Sequence, residues 1–339
     1  MTPIQKGATI KKKPKEEIAM KLTLEEIKTI TAGAVRIFEK DGAFRFHKCT
    51  EKQVDAWYKE SDTLGYRAEA TTGIRLDFYT NSDNIAFYVK RGGKYEVKID
   101  GLITHQYLEG ESERNYRVSL VIPQKPMGQR KRVTVVFPSH SIGIISSLEL
   151  DDGAYFEPVN TAKKLLFIGD SITQGCASFY DSLSYAYRVT DYFDADSVIN
   201  GIGGAYYLTG SFDTPDFDPD AVFLAYGTND YFHYRDEEKR DRMAREYLDL
   251  IKEAYEKKKV FVISPIWRAN DKCEVLGENF HAFRLYIEKL ARERGFFVID
   301  GLSLVPPQPR MYNDKYLHPN DLGFSLYAEN LIKQVKDLI

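Results

Sequence analysis

A serine, a histidine and an asparagine in this chain stand after apolar runs or just ahead of a helical pattern, the serine and the asparagine each beside an acid. Ser171 comes first, in Gly169-Asp170-Ser171-Ile172-Thr173 after the run 165–168. A serine hydroxyl becomes a nucleophile only when a base takes its proton and preorganised donors hold the oxyanion formed on attack at a carbonyl. His318, in Leu317-His318-Pro319-Asn320, is the best base, because Pro319 suits a first helical turn and leaves the ring at a fixed loop position. Gly204, in Asn200-Gly201-Ile202-Gly203-Gly204, can offer a backbone N–H with no side chain obstructing approach, and the Asn229 amide, in Gly227-Thr228-Asn229-Asp230, a second donor. Each such donor is typically worth about 3 kcal/mol of transition-state stabilisation. Asp314 is the nearest acid that could fix the His318 tautomer.

The elements that must hold these residues are legible from periodicity. Short continuous apolar runs at 165–168, 197–199, 221–225, 260–263 and 296–299 alternate with helical stretches such as 237–258 and 322–339. That pattern predicts α/β architecture: a doubly wound parallel sheet with right-handed crossovers, covered on both faces. Ligands of such sheets bind beyond the carboxyl ends of the strands, and the polar loops follow the runs in that sense.

Before residue 158 the period is two. Ile74/Leu76/Phe78, Ile85/Phe87/Val89, Tyr95/Val97/Ile99, Val118/Leu120/Ile122 and Val133/Val135/Phe137 alternate as half-buried strands separated by short turns, predicting an all-β sandwich or jelly roll. The expected organisation is a disordered tail at 1–20, a β domain at 21–157 with short helices near 24–30 and 51–59 preceding or decorating it, and an α/β domain at 158–339.

Composition narrows the class. The 339 residues, 43% apolar and 29% charged, can bury a sizeable core. A net charge of -3 from 47 basic and 50 acidic residues gives no general drive toward nucleic acid or anionic membrane. The basic run at 11–15 is followed at once by Glu16-Glu17 and reads as a solvated tail. No secretory or membrane-length apolar segment is seen, so a cytoplasmic location is expected. Cys49, Cys176 and Cys273 indicate neither a disulfide framework nor a zinc site; Cys176, five residues after Ser171, is placed at the rim of the site or in packing.

In order, "GDSIT", "NGIGG", "GTND" and "LHPN" resemble the four sequence blocks of the SGNH (GDSL-type) hydrolases over residues 163–339. The resemblance implies a flavodoxin-like, three-layer SGNH domain with Ser171 as nucleophile and His318 as base. It further implies an oxyanion hole of Ser171 N–H, Gly204 N–H and the Asn229 side chain, with Gly203 as the fallback for Gly204. The family places its acid three residues before the histidine, where this chain has Lys315; Asp314 reaches the ring only through a one-residue bulge, or else a Ser-His dyad operates. A β domain ahead of the SGNH domain is similar to carbohydrate esterase family 2, two-domain acetyl esterases without cofactors. That likeness implies a serine esterase acting on O-acyl, above all O-acetyl, groups of carbohydrates. The alternatives are an acyltransferase using the same site and a non-catalytic glycan-binding relative. The expected partner is a small-molecule or oligosaccharide ester, with a homo-oligomer open.

Other residues carry weaker expectations. Trp267 and Arg268, at the fourth strand's end, and Tyr231 and His233, in "DYFHY", are candidates for substrate binding, and His233 is the one rival base. Asp170 and Asp230 are expected to brace their turns. His47, His105, His140 and His281 are expected to be structural or exposed.

Overall fold

The computed structural model describes residues 19–91, 93–107 and 113–339. The basic run at 11–15 and most of the expected tail lie outside the described residues. Met20–Lys21, at the expected end of that tail, pairs with Leu150 and Glu149.

Two antiparallel sheets form the first half. One runs Arg36–Lys40, Ala43–His47, Ile144–Leu150, Asn84–Arg91, Arg114–Ser119; the other runs Phe156–Pro158, Arg75–Thr80, Lys131–Val136, Tyr95–Ile99, Leu102–Tyr107. The alternating residues named above meet between them: Leu76, Phe78, Phe87, Val97 and Val135 share one core, as period-two burial requires.

The second half is a five-stranded, all-parallel sheet. Its strands are β1 (Lys164–Gly169), β2 (Asp196–Gly201), β3 (Ala221–Ala225), β4 (Lys259–Ile263) and β5 (Phe297–Ile299), in the spatial order 2-1-3-4-5. Both faces are buried, so the runs are continuously apolar, yet they still alternate. Leu165, Phe167, Phe223 and Phe261 face the helices Tyr185–Phe193 and Asp321–Val335, whereas Leu166, Ile168, Val222 and Val262 face Glu237–Ala254 and Phe280–Glu293. Phe167, Phe223, Phe261 and Phe297 stack in sequence across four strands, with centroids 4.8, 5.1 and 5.0 Å apart.

Of the two expected short helices, Leu24–Thr29 packs into the sandwich core through Ile27, whereas Glu51–Glu60 joins the second core rather than decorating the sheet. Glu51–Glu60 and a helix the sequence reading omitted, Asp62–Glu69, bring Val54, Trp57 and Ala68 against Leu166, Val198 and Tyr206. Trp57 meets the Tyr206 ring edge-on at 5.7 Å. The two helices touch so closely that a β-carbon on Gly65 would fall 2.2 Å from the Tyr58 ring. Polar bonds add to the junction: Arg75 donates to Ala195 O, Lys98 pairs with Asp191, and Arg132 with Asp194. Among the described residues no helix is long and apolar enough to cross a membrane.

Candidate active site

At the end of β1 the chain turns directly into a short helix, Ser171–Gln174. Asp170 caps it, its Oδ1 accepting from Ile172 N–H at 2.9 Å, as an Asp N-cap does. Ser171 therefore occupies the first helical position, where a backbone N–H has no intrahelical carbonyl to bond. Burial pushes the Asp170 carboxyl up to about 6, against the opposing pull of the Ile172 N–H and the cationic side of His318 and Arg268. This acid braces the turn from beneath, as expected.

Ser171 Oγ lies 2.8 Å from His318 Nε2, and His318 Nδ1 lies 2.7 Å from Asp314 Oδ2. The register question is resolved by one left-handed residue, Lys315, with φ +57°. Its turn lets the other Asp314 oxygen, Oδ1, accept from Tyr316, Leu317 and His318 N–H at 2.8, 2.8 and 3.1 Å. Asp314 thus organises the loop with one oxygen and holds the imidazole with the other. Partial burial works to raise its pKa, but the N–H donors and the imidazole outweigh it, and the carboxyl sits below its ordinary value.

The oxyanion donors sort themselves by what they already bond. Gly203 is buried and its N–H donates to Gln174 Oε1 at 2.7 Å, so it is engaged. Gly204, at φ +88° and partly exposed, turns its backbone toward the cavity. Asn229 donates from Nδ2 to Ala205 O at 2.9 Å, which orients the amide and leaves it one further N–H. Beside it, Asp230 accepts from Tyr207 N–H at 2.8 Å, and burial pushes its carboxyl up to about 7. Gln174 also donates to Ser139 O at 2.8 Å, tying the serine helix to the β sandwich.

Ser171, Gly204, Asn229 and His318 line a cavity of about 600 Å³. Four further wall residues were not foreseen: Thr63, Tyr66 and Arg67 come from the helix Asp62–Glu69 and His140 from the β sandwich. His140 is exposed, as expected, but it also lines the site. Ser61-Asp62 is a readable helix start, and the Ser61 side chain does accept from Leu64 N–H; only Gly65 obscures the helix. That this helix faces Ser171 has no sequence signal. Cys176 stands on the wall 3.8 Å from His140 Nδ1, its thiol pushed up to about 12 by burial, so it is a neutral rim group.

The four residues expected to bind substrate do not line this cavity. Tyr231 is wholly buried, its hydroxyl held by Cys273 O at 2.7 Å and Glu278 O at 2.5 Å in the small hairpin Glu274–Val275/Glu278–Asn279. His233 lies flat on Tyr206 at 3.8 Å, so it is not the serine's base. Trp267 packs on Tyr312 at 4.9 Å. Arg268 is buried, donating to Thr228 O and Tyr316 Oη and stacked over Phe232. All four follow strand ends as expected, but Tyr231, Trp267 and Arg268 turn into the loops they support, and His233 stays exposed against Tyr206.

Residues 167–326 match the GDSL-like Lipase/Acylhydrolase family. Among solved structures, the salicylyl-acyltransferase SsfX3 from a tetracycline biosynthetic pathway superposes with a TM-score of 0.76 at 18% identity, covering 91% of this chain and 94% of that one. A family two carbohydrate esterase from Cellvibrio japonicus gives 0.64 at 16% identity, covering 94% and 97%. One from Clostridium thermocellum, in complex with cellohexaose, gives 0.56 at 17% identity, covering 79% and 93%. No curated protein matches the sequence. At these identities the likeness is one of fold: both the antiparallel sheets and the parallel sheet are shared, as the sequence patterns anticipated.

Proposed function

We propose that this chain, whose residues 167–326 form a GDSL-like lipase/acylhydrolase domain, is a serine esterase that hydrolyses O-acyl, above all O-acetyl, esters of carbohydrates. The observation that carries the reading is the continuous relay from Ser171 Oγ to His318 Nε2 at 2.8 Å and from His318 Nδ1 to Asp314 at 2.7 Å, opening onto the cavity.

Ser171 Oγ attacks the ester carbonyl as His318 Nε2 takes its proton, and Asp314 stabilises the imidazolium that forms. The carbonyl oxygen gains charge facing the N–H groups of Ser171 and Gly204 and the free Asn229 amide N–H. His318 then protonates the departing sugar alkoxide, leaving an acyl-serine. A water, deprotonated by His318, attacks that acyl group; the carboxylic acid leaves and Ser171 recovers its proton.

The test is acetate release from acetylated xylo-oligosaccharide together with labelling by a fluorophosphonate. Both activities are expected to vanish in Ser171→Ala, and wild-type rates in that variant would refute the assignment. A series of acyl chain lengths should peak at acetyl. Acyl transfer uses the same relay with an acceptor hydroxyl in place of water, and the fold shared with a salicylyl-acyltransferase supports keeping it as the second reading. Acylated product formed in the presence of an acceptor alcohol distinguishes the two. A glycan-binding relative without catalysis would not label with the fluorophosphonate.

A further inference from the structure

The cavity wall holds a cation that catalysis does not use. Of the described residues lining the cavity none is an acid, while Arg67 and the two imidazoles of His140 and His318 are there. Arg67 Nη1 donates to Gly203 O at 2.7 Å, and a β-carbon on Gly204 would come 3.2 Å from the same nitrogen. The guanidinium therefore sits against the turn that supplies the Gly204 N–H. A guanidinium carries five N–H donors in a planar fork, and among the described residues Arg67 has no carboxylate partner.

A second cation supports the first. Lys48 is fully buried, and among the described residues its Nζ donates only to Arg67 O at 3.0 Å and Thr72 Oγ1 at 2.9 Å, both neutral oxygens. Burial pushes it down to about 8, which leaves it mostly protonated at neutral pH. Of the other buried cations among the described residues, Arg75, Lys98, Lys131, Arg240 and Arg284 each meet a carboxylate, whereas Arg268 bonds neutral oxygens. The acids near the site are committed: Asp314 to His318 and its loop, Asp170 to the Ser171 helix. A buried positive charge without a counter-ion is costly, and an arriving anion offsets that cost.

We infer that Arg67 is a specificity-determining residue that takes a carboxylate carried by the ester substrate, so that acyl esters bearing a carboxylate within a few bonds of the scissile group are preferred over neutral ones. The inference rests on the esterase reading and deepens it. The carboxylate belongs either to the alcohol portion, as in a sugar acid, or to the acyl portion, as in a dicarboxylic half-ester; the shared chemistry is a planar anion for a planar fork.

Matched pairs separate the possibilities. 3-Acetoxybenzoate against 3-acetoxybenzamide places the charge on the alcohol side; phenyl hydrogen adipate against phenyl adipamate places it on the acyl side. With kcat/KM normalised to the hydroxide-catalysed rates, one pair should favour the anion by about 10- to 100-fold at low salt, the worth of a hydrogen bond to a charged group. The preference should shrink as ionic strength rises. Arg67→Gln should bring the ratio within the pair to near one, and Arg67→Lys should restore part of it; taking the ratio cancels any general disturbance of the Gly203–Gly204 turn. Binding of the same pairs to Ser171→Ala by ligand-observed NMR reads the preference without turnover. Ratios near one for both pairs, or a ratio unchanged in Arg67→Gln, overturn the inference. Anion-selective binding with no hydrolysis of any ester would keep it and overturn the esterase reading instead.

Discussion

Asp314→Asn tests the relay at the point where this chain departs from the register of the family it resembles. The carboxylate has two separate duties: Oδ1 accepts three backbone N–H groups and Oδ2 faces His318 Nδ1 at 2.7 Å. An asparagine has one oxygen, and three donors compel it to occupy the Oδ1 position. Its NH2 then points at Nδ1, which must accept, so the imidazole proton moves to Nε2, the atom 2.8 Å from Ser171 Oγ. The ring can no longer act as base. The lost charge adds to this: two unit charges about 4 Å apart at an effective dielectric of about 20 interact by about 4 kcal/mol, or roughly 10³ in rate. With the wrong tautomer included, kcat/KM on an acetyl ester should fall by about 10⁴. Thermal stability should change little, since the three N–H groups keep an acceptor. Asp314→Ala, in contrast, strips them of it and should cost about 1–3 kcal/mol in urea denaturation. Asp314→Asn activity within tenfold of wild type, with the melting temperature unchanged, would refute the reasoning and show that something other than this carboxylate orients the ring.

Three further outcomes follow from the geometry. Asn229→Ala should lower kcat by about 10²–10³ with little change in KM, because its free N–H meets charge present only in the transition state; an equal loss from KM alone would contradict that role. Lys315→Gly should raise stability by about 1 kcal/mol and keep activity, since glycine accepts the left-handed backbone freely, and Lys315→Val should lower it; denaturant midpoints decide between these signs. Asp170, buried and raised to about 6, keeps a proton in the folded chain between pH 4 and 6 that the unfolded chain releases. Its contribution therefore falls as pH rises through that window, by about 3 kcal/mol for a shift of about two units. Asn at this position can keep the Ile172 cap without ionising, so Asp170→Asn should gain on wild type by about that amount from pH 4 to pH 7.5; a difference flat with pH would rule out the ionisation.

The four motif blocks and the two periodicities are local features of the chain, and local physics makes them readable. An apolar run covered on both faces cannot end in polar residues unless it ends at an open edge, so Asp170-Ser171, Gly203-Gly204 and Asn229 had to share the carboxyl edge of one sheet. The same reasoning failed for Tyr231, His233, Trp267 and Arg268. Position after a strand puts the backbone near the site, but the side-chain direction is set by what each finds to pack on: Phe232 and Tyr316 for Arg268, two hairpin carbonyls for Tyr231.

By itself, then, the sequence determined the fold class, the nucleophile and base as candidates, and the order in which their loops arrive, because each depends on hydrophobic period and short-range chemistry. Tertiary structure decided what long-range packing alone can set. Lys315 takes the left-handed turn that returns Asp314 to His318, at a position where no glycine announces it. Trp57 docking on Tyr206 carries Arg67 across to Gly203, 136 residues away, and so places a cation from the first half of the chain in a cavity whose nucleophile lies in the second.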